Sequence, residues 1–237
     1  MSDERSRSEP IDVLQAMATT RAIRRYTDDP VDEDDLAQIL WYATRAPSGS
    51  NRQPTRFLVL RDGPKATQAK ALLGESFRDG WNAKRRSDGY EQGSGVDRSS
   101  PKARMAATMQ HYVDHFEQIP VVILVCLNRY REPGPFEGAS VYPACQNLLL
   151  AARALGYGGV LTGWHGMVEP QLRELFDLPD ETAISATITL GVPAGSHGPV
   201  RRRPLSDVVY DDDWGAEASW AVDPDGTNFT AAGPPKS

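Results

Sequence analysis

The sequence predicts an α+β fold, a mixed layer of helices and sheet, and three observations carry that expectation. Segments with helical periodicity alternate with apolar, strand-like runs; those runs are few and widely spaced; and the glycine-rich stretch "GYGGVLTG" lacks the G-x-G-x-x-G order of a doubly wound dinucleotide fold. With 237 residues, 40% of them hydrophobic, the chain can bury one core without disulfide or metal staples. A single domain over residues 11–210 and a C-terminal tail over 211–237 are expected.

Residues 11–19, "IDVLQAMAT", put Ile11, Leu14 and Met17 at helical spacing, ahead of the basic stretch "TRAIRRY". "DDPVDEDDLAQILWYA" sets a proline and acidic first-turn residues before Leu36, Ile39, Leu40 and Ala43, the pattern of a helix start with one buried face. Pro47 should end that helix, since the residue before a proline is pushed out of the α region. A strand over Arg56 to Leu60 and a short helix, "PKATQAKALLG", follow. From Gly74 to Arg104 there is neither Leu nor Ile, there are five glycines, and polar clusters recur; residues 74–104 are expected to be a lid over a functional site, held by Trp81 and Tyr90.

"KARMAATMQHYVDHFEQI" reads as a helix and "PVVILVCL" as a central strand, because its apolar run is unbroken. "GASVYPACQNLLLAARALG" is expected to cross the core as the most apolar helix and to stop at Gly156. A glycine-rich turn, "GYGGVLTGWHG", a short helix, "EPQLRELFDL", and a strand, "AISATITLGVP", come next, then the basic "RRRPLSDVVY". The tail beyond Tyr210 is acidic, then rich in Gly, Pro and Ala, with scattered Trp214, Trp220 and Phe229.

A net charge of -6 has the wrong sign for a generic nucleic-acid binder. Cys126 and Cys145 sit in apolar runs without metal-site spacing and are expected as buried thiols. The start, "MSDERSRSEP", is charged and lacks an apolar stretch, and no run approaches a membrane span, so a cytoplasmic setting is expected.

Three separated segments could bind an anion or a flat polar ligand. "TRAIRRY" offers Arg21 and Arg24; "RAPSGSNRQP" offers Ser48, Ser50, Asn51 and backbone amides freed by Gly49; "VRRRPL" offers Arg201 to Arg203. Arginine forks suit phosphate oxygens, and small residues let a ligand approach the backbone, so the set points to a phosphorylated cofactor. Taken singly, each arginine cluster is as well read as solvated surface and "PSGSN" as an ordinary polar loop. His111 and His115 are spaced i, i+4 but lack the H-E-x-x-H glutamate, which favours a solvated or structural role. His165, after the glycine-rich turn, is the better place for a ligand contact; no hydrolytic nucleophile can be named, and no metal site is expected.

The order of these motifs over roughly Ile11 to Tyr210 resembles the FMN-dependent nitroreductase family: an R-x-x-R-x-Y stretch, "APSGSNRQP" before a strand, "ACQNLLLAARALGYGGVLTGW", then "RRRPL". The resemblance implies a mixed α/β sandwich, with a mainly antiparallel central sheet flanked by helices, built as an intertwined homodimer with FMN at the interface. It implies FMN phosphate and ribityl contacts from Arg21, Ala22 and Arg24, a return to the phosphate through Arg202, and flavin contacts by Pro47, Ser48, Gly49 and Asn51 of the neighbouring subunit. Ser140, at the start of the core helix, is a further candidate, and Leu161, Thr162 and Gly163 would lie along the isoalloxazine with a backbone amide toward N5. The implied activity is NAD(P)H-dependent reduction of a small-molecule acceptor, nitroaromatic or quinone-like, by a ping-pong route in which the flavin carries the hydride and no side chain acts as nucleophile. Reductive dehalogenation, flavin fragmentation and non-catalytic flavin binding remain the alternatives, and NADPH is not distinguished from NADH.

Overall fold

The computed structural model describes residues 11–230. The charged start at residues 1–10 and the last part of the expected tail, residues 231–237, lie outside the described residues. In chain order the elements are α1 (Val13–Thr19), α2 (Glu33–Ala43), β1 (Thr55–Leu60), α3 (Pro64–Ser87), α4 (Pro101–Asp114), β2 (Val121–Asn128), α5 (Tyr142–Ala154), β3 (Gly158–Thr162), α6 (Glu169–Phe176) and β4 (Thr182–Gly191). Among the described residues the strands form one sheet in the order β1-β2-β4-β3, and every pairing is antiparallel. The α+β expectation and the mainly antiparallel sheet are therefore what the chain has.

The sheet is buried on both faces. β2 is apolar from Val121 to Leu127 and buried along that whole length, as a central strand must be. Its even-numbered side chains, Val122, Leu124 and Cys126, join Leu73, Phe77 and Trp81 of α3, Tyr112 and Val113 of α4 and Phe116 of the turn after it. Its odd-numbered ones, Ile123, Val125 and Leu127, join Ile39 and Ala43 of α2 and Cys145 and Leu148 of α5. The period-2 alternation of a strand thus assigns one helical layer to each face. Burial pushes the Cys126 thiol up to about 11 and the Cys145 thiol up to about 12, so both are inert core groups.

Helix ends follow local chemistry. Asp32 caps α2 by accepting the amides of Asp34 and Asp35, with Glu33, Asp34 and Asp35 in the positive first turn. The helix expected over residues 11–19 forms as α1, with Ala16 buried and Leu14 and Met17 73% and 54% exposed.

Two expectations are corrected. α3 does not end at Gly74; it runs to Ser87, so half of the supposed lid is core helix. Leu73, Phe77 and Trp81 recur every fourth residue and keep one buried face going, and Gly74 and Gly80 mark places where Glu117 and the Trp164 ring pack against the helix. Only 88–100 is turns and short 3-10 structure before α4 begins at Pro101. Second, Gly158–Thr162 is a strand rather than a turn. Its two leading glycines are required by crowding: a Cβ on Gly158 would lie 2.6 Å from Ile23 Cγ1, and one on Gly159 would lie 2.5 Å from the Thr189 carbonyl oxygen. Gly159→Ala should therefore force β3 off β4 and lower stability by about 1–3 kcal/mol, measurable by chemical denaturation.

Candidate functional site

The basic stretch after α1 is laid along the open edge of β3. Ile23 N–H donates to the Gly159 carbonyl at 3.0 Å, Thr27 N–H donates to the Val192 carbonyl at 2.9 Å, and Tyr26 bridges to Pro193. Tyr26 also buries its hydroxyl on Thr189 Oγ1, at 2.8 Å, and Tyr112 reaches the same Oγ1 at 3.1 Å. Desolvation raises both phenols well above their ordinary range, so they are neutral struts. Through these contacts Arg21, Ala22 and Arg24 are held on a rigid edge.

His197, uninformative in the sequence, proves to be a support. Its Nδ1 accepts a long 3.4 Å bond from the Arg21 amide, and its Nε2–H donates to the Tyr157 carbonyl at 3.2 Å. Desolvation lowers its pKa, which favours the neutral ring those bonds need.

Arg21, Ala22, Arg24 and Arg202 line one cavity of about 680 Å³, together with Arg104 and Arg201; among the described residues that line it there is no carboxylate. A second cavity of about 360 Å³ shares Arg24 and Met105 with the first. Its floor is Val160, Leu161 and Thr162 of β3, and its walls are Trp81, Tyr90 and Trp164. Both volumes fall in the range of small-molecule sites. Leu161 is 38% exposed on a strand whose first three residues are buried, so it faces this cavity. Because Gly159 turns its carbonyl to the outer edge, alternation puts the Leu161 amide on that same edge. Gly163 follows with nothing within 4 Å of a Cβ position, leaving its backbone approachable.

The polar loop lies elsewhere. Ser48 and Ser140 line a different cavity, of about 140 Å³, with Gln53, Thr55 and Ala144. Gly49 N–H donates to Ser140 Oγ at 3.1 Å, Ser48 Oγ accepts the Gln53 amide at 2.9 Å, and Thr55 Oγ1 donates to the Ser140 carbonyl at 2.9 Å. Ser50, Asn51 and Gln53 all hold positive φ near 50°, a conformation that costs non-glycine residues energy and clusters at ligand sites. Pro47, Gly49 and Asn51 are exposed. The site residues expected from the sequence thus fall into two groups within one chain: the arginines with β3, and the loop with Ser140.

His165 is not a ligand contact. It is buried, with Nε2 at 2.9 Å from the Ile184 carbonyl and Nδ1 at 3.2 Å from Thr187 Oγ1. Desolvation dominates and lowers its pKa. The unfolded chain takes up this proton near pH 6.5 and the folded chain resists it, so the stabilisation is present above about pH 6.5 and fades below. The thermal midpoint is expected to fall between pH 7.5 and 5.5, and less steeply in His165→Gln. His111 of α4 and His115, just past its end, stack at 4.1 Å, and no group of three or more His, Cys, Asp or Glu among the described residues could hold a metal ion. No helix among the described residues is long and apolar enough to cross a membrane.

The Nitroreductase family profile matches residues 17–192. The chain belongs to the nitroreductase family. It is 30% identical over 216 residues to the NADH dehydrogenase of Thermus thermophilus, covering 84% of this chain and 95% of that one. It is 28% identical over 187 residues to the 5,6-dimethylbenzimidazole synthase of Rhodospirillum rubrum, covering 75% of this chain and 80% of that protein. Among solved structures, a protein from Desulfovibrio desulfuricans in complex with FMN matches at 29% identity and a TM-score of 0.60, over 85% of this chain and 97% of that chain. Within this nitroreductase-family chain the profile takes in α2, the whole sheet and both residue groups except Arg202, which lies beyond its end.

Proposed function

We propose that this chain is an FMN-dependent oxidoreductase that uses NAD(P)H to reduce nitroaromatic or quinone-like acceptors. The observation that carries the reading is the arginine-lined, carboxylate-free cavity, which shares Arg24 and Met105 with the cavity against Val160, Leu161 and Thr162 of β3. FMN fits that donor set: Arg21, Arg24 and Arg202 would take the phosphate, Ala22 the adjoining ribityl chain, and Leu161, Thr162 and Gly163 the ring edge. Bound there, FMN would supply the hydride chemistry, taking reducing equivalents from NAD(P)H and passing them to an acceptor. The protein's own part is to neutralise the phosphate, present backbone donors at the ring edge and shape an apolar face with Trp81, Tyr90 and Trp164. Residues 88–100, which include Tyr90, would close over that face.

The separation of the two residue groups supports a homodimer in which Pro47, Ser48, Gly49, Asn51 and Ser140 of one subunit complete the site of the other. Exposed Leu14, Met17, Trp41 and Tyr42 on α1 and α2 offer apolar surface for such an interface. Light scattering is expected to give twice the 26.0 kDa chain mass. A monomer that still binds FMN would contradict the shared site.

Initial rates with NADPH and a nitroaromatic varied together should give parallel double-reciprocal lines, because donor and acceptor would use one face in turn. Intersecting lines would contradict that route. A second reading, in which the flavin is itself consumed, is favoured by the likeness to the Rhodospirillum rubrum synthase. Loss of flavin in proportion to product, without turnover of an added acceptor, would select it.

A further inference from the structure

We propose that the C-terminal tail straps the phosphate end of the cofactor cavity, and that Asn228 donates a hydrogen bond to the bound phosphate. The proposal rests on the FMN reading above and adds a residue that lies outside every motif of the resemblance.

The tail returns to the basic stretch it leaves. Phe229 forms a parallel bridge with Arg202, and Thr230 N–H donates to the Arg202 carbonyl at 3.0 Å. That pairing fixes the chain beside Asn228, which lines the same cavity as Arg21, Arg24, Arg104, Arg201 and Arg202. The path back is tied down on the way. Trp220 Nε1–H donates to the Asp211 carboxylate at 3.0 Å, and the Asp223 carboxylate accepts the Leu205 amide at 3.1 Å. A turn over Pro224 to Thr227 then reverses the chain just before Asn228.

The residue type suits the position. A carboxamide brings two N–H donors without charge, so it can add a bond to a phosphate that the arginines already neutralise. An aspartate there would set a carboxylate against a group carrying about -1.5 to -2 charge at pH 7. Because the strap is paired to Arg202 beside the phosphate end of the cavity, its effect should appear in the rate of cofactor release.

The test uses full-length, FMN-loaded protein with Asn228→Asp and Asn228→Ala. Release is followed as recovery of free-flavin fluorescence after dilution, and thermal unfolding without FMN serves as the folding control. Asn228 is exposed, so both variants should fold as the parent does. Asn228→Asp is expected to release FMN roughly tenfold faster or more, Asn228→Ala several-fold faster. The same variants loaded with riboflavin, which lacks the phosphate, should release it at the parent rate. Equal FMN release from parent and Asn228→Asp overturns the strap, and equal acceleration for FMN and riboflavin overturns the phosphate contact. A parent chain that never retains FMN overturns the functional reading itself, a result distinct from either.

Discussion

Arg21→Ala and Arg202→Ala are each expected to weaken FMN binding by about ten- to a hundredfold, with the double variant losing FMN during purification. A hydrogen bond to a charged group contributes about 1.5–3 kcal/mol, and each 1.36 kcal/mol is a factor of ten. Both side chains are exposed, so neither replacement should disturb the fold. Arg21 sits where α1 gives way to the segment paired with β3, and Arg202 sits where the tail pairs back, so the two approach one cavity from independent parts of the chain. Losses from two such sites should be close to additive unless both contact the same phosphate oxygen. Arg21→Lys should recover only part of the affinity, since an ammonium keeps the charge and loses the planar fork. Equilibrium titration of apoprotein with FMN, followed by flavin fluorescence quenching, measures all of these.

Phe77→Ala is expected to cost about 3–5 kcal/mol and to lower the thermal midpoint by roughly 10 °C. Phe77 is fully buried, with ring centroids 4.5 Å from Phe116, 6.3 Å from Tyr112 and 5.3 Å, edge-on, from Trp164. The cavity left behind would sit in the layer that supports Tyr112, Trp81 and Trp164, all of which line the smaller cavity beside β3. FMN affinity should therefore fall together with stability. Phe77→Leu, which keeps most of the volume, should do much less to both, and far-UV circular dichroism melts with and without FMN separate the two effects.

What the sequence allowed one to read, and what it hid, divides along physical lines. β2 was legible because an unbroken apolar run has one compact use, and α2 because its acidic first turn and Pro47 mark both ends. The arginines and the "PSGSN" loop stand out in the sequence as two candidate contact sets, and Ser48 of the loop lines a different cavity from the arginines. The second half of α3 is hard to read from sequence because it carries neither Leu nor Ile and is held by Phe77 and Trp81 among charged residues. β3 was hidden by its glycines, which are there because Ile23 and the Thr189 carbonyl leave no room for a Cβ. His165 looked like a ligand contact because it follows a glycine-rich segment; Ile184 and Thr187, nineteen and twenty-two residues on, take both of its nitrogens. Such long-range partners leave no trace in local spacing, and the same holds for His197, whose ring meets the Arg21 amide and the Tyr157 carbonyl.

In the proposed site the arginine-lined cavity and the edge of β3 together hold a flavin that NAD(P)H can reduce. The most direct measurement is the absorption spectrum of the FMN-reconstituted protein under anaerobic conditions, recorded as NADPH and then a nitroaromatic are added. The bound-flavin band is expected to bleach with NADPH and to return with the acceptor. A protein that fails to bind FMN on reconstitution, or whose bound flavin bleaches with neither NADPH nor NADH, would contradict the account.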